Sequence, residues 1–521
     1  MKNIKSREYI NSFLFWVLPS FSLILIMVLL FLLTYSIDYS RELPDHNLIT
    51  NFFRGDTDTY RYSLTAAAGS LAATLGIMIA IVILIVQLTA NRYTPRVVDL
   101  FITHRANLFI MPLFIITITY SLWVSYGINN EFLPRLSGSI AMCLMTVCYA
   151  IIVPYFIYLF RLLKPINIIN QLSDETISLF SKVIKKEDYK DNDKIAINIL
   201  IEQINDITSS AVQRMDSEIA HKSISAMQGI MEYYFKNKNH FSSKWYQVDD
   251  SYLVGSPRHI IQEMVKNRTW VEFKVFKQFS QIFVISLKGM RDINSSIFQT
   301  LRALGFETVD NKDSAVLDLI IKFFNTILRI SLESKDMSAT NDVLYHYRLL
   351  AEKSLEGYCE YSKKISNYFI VYGLIFLEHG LRQNFESVVY DLRKLNEKAV
   401  KKNVANSEEL LEDFLRFQYM LDYKKHHKTM KCLWKAYAIL GSFYMFRGNK
   451  EFALKVFEEM KRIPIETIIE IKVEIYKVYE SHYWEITDRI INYNFVPENQ
   501  KNYLSSFFDL FFKDIENKNN G

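Results

Sequence analysis

The sequence predicts an all-α protein in three parts: a four-span transmembrane helical domain over residues 1–165, a cytosolic helical domain over 166–309, and a helical-repeat domain over 310–521. Three observations predict this. Residues 1–165 hold 12 Lys/Arg and 8 Asp/Glu, about 12% charged, whereas residues 166–521 hold 49 and 48, about 27% charged. The first part contains four long windows with no charged residue. The second part places its apolar residues at helical spacing, with almost no alternation bounded by turn signals. Fifteen Gly and 10 Pro in 521 residues exclude collagen-like and low-complexity chains, and four Cys exclude a disulfide scaffold. The balance of 49 against 48 argues against a nucleic-acid face, so no nucleic-acid partner is expected.

The charge-free windows run over 9–37, 62–91, 106–130 and 136–160. Each exceeds the roughly 20 residues a helix needs to cross a hydrocarbon core. They predict spans over about 13–37, 63–90, 107–127 and 138–160. The first is too long for a signal-peptide core and no small-residue cleavage site follows it, so it is expected to stay as an anchor. Lys2, Lys5 and Arg7 precede the first span. Arg92, Arg96 and Arg105 lie between the second and third, and Arg161 and Lys164 follow the fourth. The positive-inside rule puts these segments, both termini and the second part in the cytosol. A bacterial cytoplasmic (inner) membrane is the expected location, with the lipid bilayer as first partner.

The second span reads TAAAGSLAATLGIMIA, and Ala68, Ala72, Gly76 and Ala80 recur every four residues with Gly69 and Ala73 beside them. One helix face therefore carries only small side chains. Such a face first suggests close helix packing; the functional alternative is a helix that lines a pore in an oligomer. Gln87 follows a bulky IVILIV run and is costly at depth unless it finds a partner or water. Cys143 and Cys148 lack metal-ligand spacing and read as apolar filling.

The run from Leu64 to Leu122 carries Gly69, Gln87, Leu88, Tyr93, Thr94, Pro95, Arg96 and Phe101 in order. It resembles a bacterial family of multi-pass membrane proteins, domain of unknown function 2254. The likeness covers about residues 10–306. Thr94 stands where the family favours Ser, and Asp216-Ser217-Glu218-Ile219 replaces its Asn-Asp-Pro turn. The resemblance implies spans followed by a cytosolic helical extension, and it brings no catalytic residue with it.

In the second part Ile197, Ile201, Ile204, Ile207 and Ala211 share one stripe, as do Phe276, Phe279 and Phe283. Residues 237–257 lack this period and are expected as an ordered loop or two short strands. Asp310 to Ser314 supplies capping residues and a domain boundary. Further on, Tyr437, Leu440, Gly441, Tyr444, Ala453 and Phe457 fit a 34-residue tetratricopeptide-like frame. Gly373 and Gly380 stand 68 residues before Gly441 and Gly448, read as two such periods. Arrays of this kind offer a surface to a protein partner. Lys424 to Lys428 with Lys431 forms the strongest basic cluster, expected as a solvated helix face, and adjacent His426 and His427 point to different faces.

There is no P-loop, G-x-G-x-x-G, G-x-S-x-G, HExxH or Cys-x-x-Cys in the sequence. No catalytic residue, metal or cofactor is expected. The expected function is a non-enzymatic, homo-oligomeric membrane protein whose cytosolic array binds an unknown protein and controls an ion-conducting or membrane-perturbing assembly. The alternative is a scaffold whose spans only tether a partner-binding array.

Overall fold

A computed structural model describes residues 56–92, 105–129, 134–162, 164–185, 191–248, 252–253, 255–421, 423–483 and 489–519. The described residues contain 18 α-helices, a few short 3-10 turns and one isolated antiparallel bridge, His482 with Ile491. They divide into two compact units, residues 1–171 and 172–521. The first span and the turn Tyr93, Thr94, Pro95 and Arg96 lie outside the described residues.

Three helices of the first unit are long and apolar enough to cross a membrane: α1 (Thr57–Arg92), α2 (Arg105–Tyr126) and α3 (Arg135–Leu162). They correspond to the second, third and fourth expected spans. Pro112 lies inside α2 and Pro154 inside α3, as membrane helices tolerate. The helices pack through a stripe of α1 made of Leu64, Ala68, Leu71, Leu75, Met78 and Val82, all buried with Phe114 of α2 and Ala141 and Met145 of α3. Lipid tails are as apolar as these side chains, so polar contacts add specificity. Thr65 and Ser125 hydroxyls lie 2.7 Å apart, and Tyr149 donates to the Ser70 hydroxyl at 3.1 Å. Buried Cys148 sits 3.4 Å from the Thr117 hydroxyl, while Cys143 is exposed.

The second unit begins within α4 (Pro165–Lys185), followed by α5 (Asp191–Gln213) and α6 (Ser217–Asn237). After short α7 (Arg258–Lys266) come α8 (Trp270–Ser286), α9 (Arg291–Asp310), α10 (Ser314–Glu333), α11 (Met337–Ser354), α12 (Cys359–Glu378), α13 (Arg382–Lys401) and α14 (Ser407–Arg416). Then follow α15 (Tyr423–Phe446), α16 (Lys450–Met460), α17 (Ile465–Tyr476) and α18 (Glu498–Asn519). The two stripes read from the sequence are core: Ile197, Ile201, Ile204, Ile207, Ala211, Phe276, Phe279 and Phe283 are all buried.

Helices α6, α9, α11, α13 and α15 pack side by side as one layer, and α18 packs on α15 to continue it. Helices α8, α10, α12, α14 and α16 form a second layer against the first. The boundary expected at 310 falls in the Asn311–Asp313 turn, and α9 before it packs on both α10 and α11 after it. The loop over 237–257 is ordered without strands among its described residues. Two 3-10 turns, Lys238–His240 and Ser243–Tyr246, carry Trp245 into contact with Trp270 at 5.1 Å. The buried Lys194 ammonium donates to the carbonyls of Lys244 at 3.2 Å and Gln247 at 2.5 Å, which ties down a segment too polar to pack alone.

The array repeats every two helices, with a longer period than a 34-residue frame. Hydrogen bonds join successive hairpins across 46 residues (Lys364 to Asp318) and 47 residues (Tyr372 to Asn325, Asn406 to Cys359). The 68-residue recurrence has a different origin. Left-handed backbone occurs at Lys312, Lys335, Gly380, Asn403 and Gly448, in the turns after α9, α10, α12, α13 and α15. Each of these turns closes with an N–H bonding back five residues: Asp313 to Thr308, Asp336 to Ser331, Leu381 to Phe376, Val404 to Ala399 and Asn449 to Tyr444. This is the Schellman ending of a helix. Turn chemistry thus recurs every three helices, packing every two, and residues 68 apart fall in different layers.

Candidate functional site

The small-residue face of α1 points away from α2 and α3. Gly69, Ala72, Ala73, Gly76 and Ala80 are exposed, and a Cβ added at Gly69 or Gly76 would meet nothing within 4 Å. Ala68 differs from its neighbours: it is 1% exposed and belongs to the packed stripe. Gln87 is exposed near the end of the helix. The three described spans therefore use the bulky side of α1 and leave the narrow side to another helix.

The repeat-like positions are core. The buried Tyr437 hydroxyl donates to the carbonyl of Phe414 at 2.6 Å, and Leu440, Tyr444, Ala453 and Phe457 are buried around it. Gly373 and Gly441 have matching roles, since a Cβ at the first would meet Phe417 at 2.8 Å and at the second the Phe507 ring at 2.5 Å. Gly380 and Gly448 supply left-handed turns at φ 73° and 77°. Within the basic cluster, Lys431 pairs with Glu470 and Glu474 at 2.7 Å each. The side chains of Lys424 to Lys428 lie outside those described.

A polar cleft of about 400 Å³ opens between the end of α6 and the turns before α8 and α10, lined by Lys238, Arg268, Lys312 and Asp313 among others. Lys238 reaches Glu272 at 2.6 Å and Asp313 at 2.7 Å. Burial pushes the Glu272 carboxyl above its ordinary range, against the pull of Lys238. Two carboxylates already neutralise the deepest cation, and Arg268 lies over the Tyr246 ring at 5.3 Å. The cleft is an internal ion cluster before it is an anion site. Among the described residues no group of three or more His, Cys, Asp or Glu is placed to hold a metal.

The array's largest buried polar cluster covers α11 and α13. Asp391 is fully buried and accepts from Arg348 Nε at 2.9 Å and from Arg489 Nη1 and Nη2 at 2.7 and 2.9 Å. Arg489 also donates to the Asn341 carbonyl at 2.8 Å, and Arg393 Nη2 donates to the Tyr493 carbonyl at 3.1 Å. Sequence reasoning missed this cluster. Asp391 sits in YDLRKLNEK, which reads as a solvated face, and its partner Arg489 is 98 residues away.

Residues 14–223 match the DUF2254 family of predicted membrane proteins. No curated protein matches the chain. Among solved structures, a circular tandem repeat protein with novel repeat topology and enhanced subunit contact surfaces is similar at 13% identity and a TM-score of 0.26, with 88% of this chain and 96% of that chain covered. A likeness of that size carries no argument; the repeat rests on the packing described above.

Proposed function

We propose that this multi-pass membrane protein is a non-enzymatic homo-oligomer whose cytosolic helical array binds a protein partner and thereby controls an ion-conducting or membrane-perturbing transmembrane assembly. The supporting observation is the unoccupied narrow face of α1, from Gly69 to Ala80 with Gln87 beyond it. Lipid gains little from a face without side chains, whereas a helix of a second copy can approach its backbone closely. Copies arranged with this face inward place small side chains along a central axis and the Gln87 amide at its end, where it can replace water around an ion. Cytosolic placement of the array follows from the Lys and Arg beside the spans.

The test is planar-bilayer recording of the purified protein with and without a captured partner. Gly76→Leu is expected to block conductance by filling the narrow face, and Gln87→Leu to lower it without changing insertion. Conductance absent under every condition, with partner capture retained, would leave the array as a scaffold tethered by its spans.

A further inference from the structure

We infer that the face of α11 and α13 around Asp391 is a recognition groove for an extended, arginine-bearing segment of a protein partner, and that residues 489–493 of this chain occupy it in cis. The inference rests on the reading that the array binds a protein partner, and it supplies the surface and the chemistry.

The groove is shaped before Arg489 enters it. Asn384 and Ser387 donate to the Asn341 side-chain oxygen at 2.9 and 2.8 Å, which holds the Asn341 side chain on α13. Arg348 orients Asp391 from one side and pairs with Glu352 on the other. Asp391 and Glu352 against Arg348 leave one negative charge in excess, and Arg489 supplies the neutralising cation. Its planar fork meets the carboxylate with two parallel bonds, the geometry that distinguishes arginine from lysine. Its Nε and Nη2 both reach the Asn341 carbonyl, at 3.2 and 2.8 Å.

Four residues later a second site follows. The Tyr493 ring stacks on Tyr390 with centroids 4.6 Å apart, and its hydroxyl lies 2.8 Å from that of Ser387. Between these two anchors the segment behaves as a ligand and not as core. Ile490 is 51% exposed and Ile491 36%, so the apolar side chains are turned outward and the polar ones inward. Ile490 also adopts φ 53°, a left-handed backbone that a β-branched residue rarely takes. A segment kept for packing would bury its isoleucines. Nor does α18 need this tie, because Phe507 and Phe511 already seat it against Gly441 and Phe457.

An intramolecular occupant enjoys an effective concentration in the millimolar range, so a partner segment competes only when the cis segment is weakened or the partner is presented at high local concentration. The experiment uses the full chain in detergent and a labelled peptide of residues 489–497, read by fluorescence anisotropy. Arg489→Ala with Tyr493→Ala vacates the groove, and this variant is expected to bind the peptide at least tenfold more tightly than the parent protein. Adding Asp391→Asn, or replacing the peptide's arginine by alanine, is expected to abolish that gain. In the unaltered protein, millimolar peptide is expected to raise amide exchange in residues 489–496 several-fold while α18 keeps its protection. A folded double variant that gains no affinity, or exchange in the unaltered protein that ignores the peptide, overturns the groove. Neither readout involves a current: lost peptide binding with conductance intact removes the groove alone, and lost conductance with peptide capture intact removes the membrane reading alone.

Discussion

The ring of Phe507 occupies the space where a side chain at Gly441 would stand, with Cζ 2.5 Å from the place of a Cβ. This contact joins the C-terminal helix to α15 at backbone distance. Gly441→Ala is expected to lower stability by about 1–3 kcal/mol, since a packed aromatic must move to admit one methyl group. The control is Gly229→Ala in α6, where nothing lies within 4 Å; there the smaller loss of chain entropy is expected to raise stability by up to about 1 kcal/mol. Urea unfolding of both variants in detergent, followed by tryptophan fluorescence, decides the comparison.

The turns of the array predict opposite effects for opposite exchanges. Lys335 holds φ 57° and Gly448 holds φ 77° in turns of the same type. Lys335→Gly is expected to stabilise by roughly 0.5–1 kcal/mol, and Gly448→Ala to destabilise by about 1 kcal/mol, because a side chain in left-handed backbone is strained. Beside the first turn, the Asp336 carboxylate caps α11 by accepting from the Ala339 N–H at 2.9 Å. Asp336→Ala is expected to cost about 1 kcal/mol. Thermal unfolding midpoints of the three variants check the signs.

What the sequence made legible follows from range. Spans, apolar stripes and caps are local, so the charge-free windows locate α1, α2 and α3, and the Asp313 side chain caps α10 from within the stretch expected to do so. The repeat was visible as a recurrence, yet its meaning was not: matching Gly380 with Gly448 compares turns three helices apart, while the hydrogen bonds that define the unit span 46 and 47 residues. The Asp391 cluster was invisible because burial of a polar helix face depends on a segment about a hundred residues later. The small face of α1 was read correctly as a run of residues, but its membership was not: Ala68 turns inward with Leu64 and Leu71, and only the remaining small positions face outward.

Removing Asp391 leaves Arg348 and Arg489 buried without their shared acceptor. Asp391→Ala is therefore expected to destabilise by about 3–5 kcal/mol, the cost of uncompensated buried charge. Replacing Arg348, Asp391 and Arg489 together by Met, Leu and Leu is expected to recover most of that loss, because the desolvation cost disappears along with the attraction. A triple variant as unstable as Asp391→Ala would show that the cluster contributes through shape and not through charge. Urea midpoints of the single and triple variants give the answer.

Glu356 lies in the turn between α11 and α12, where Lys402 and Lys353, the latter at 2.9 Å, hold its carboxyl down to about 2 from an ordinary 4.5. The folded chain therefore keeps Glu356 ionised more firmly than the unfolded chain does. As pH falls, the unfolded chain takes up the proton first. The contribution of this carboxylate is complete above 4.5 and is lost progressively as pH drops toward 2. Its size is modest, about 0.5–1 kcal/mol, because the side chain is 45% exposed and salt screens the two lysines. Glu356→Gln is expected to lower the urea midpoint at pH 6 slightly and to leave it unchanged at pH 2, so that the two proteins converge under acid. A difference that persisted at pH 2 would mean that Glu356 acts by packing and not by charge.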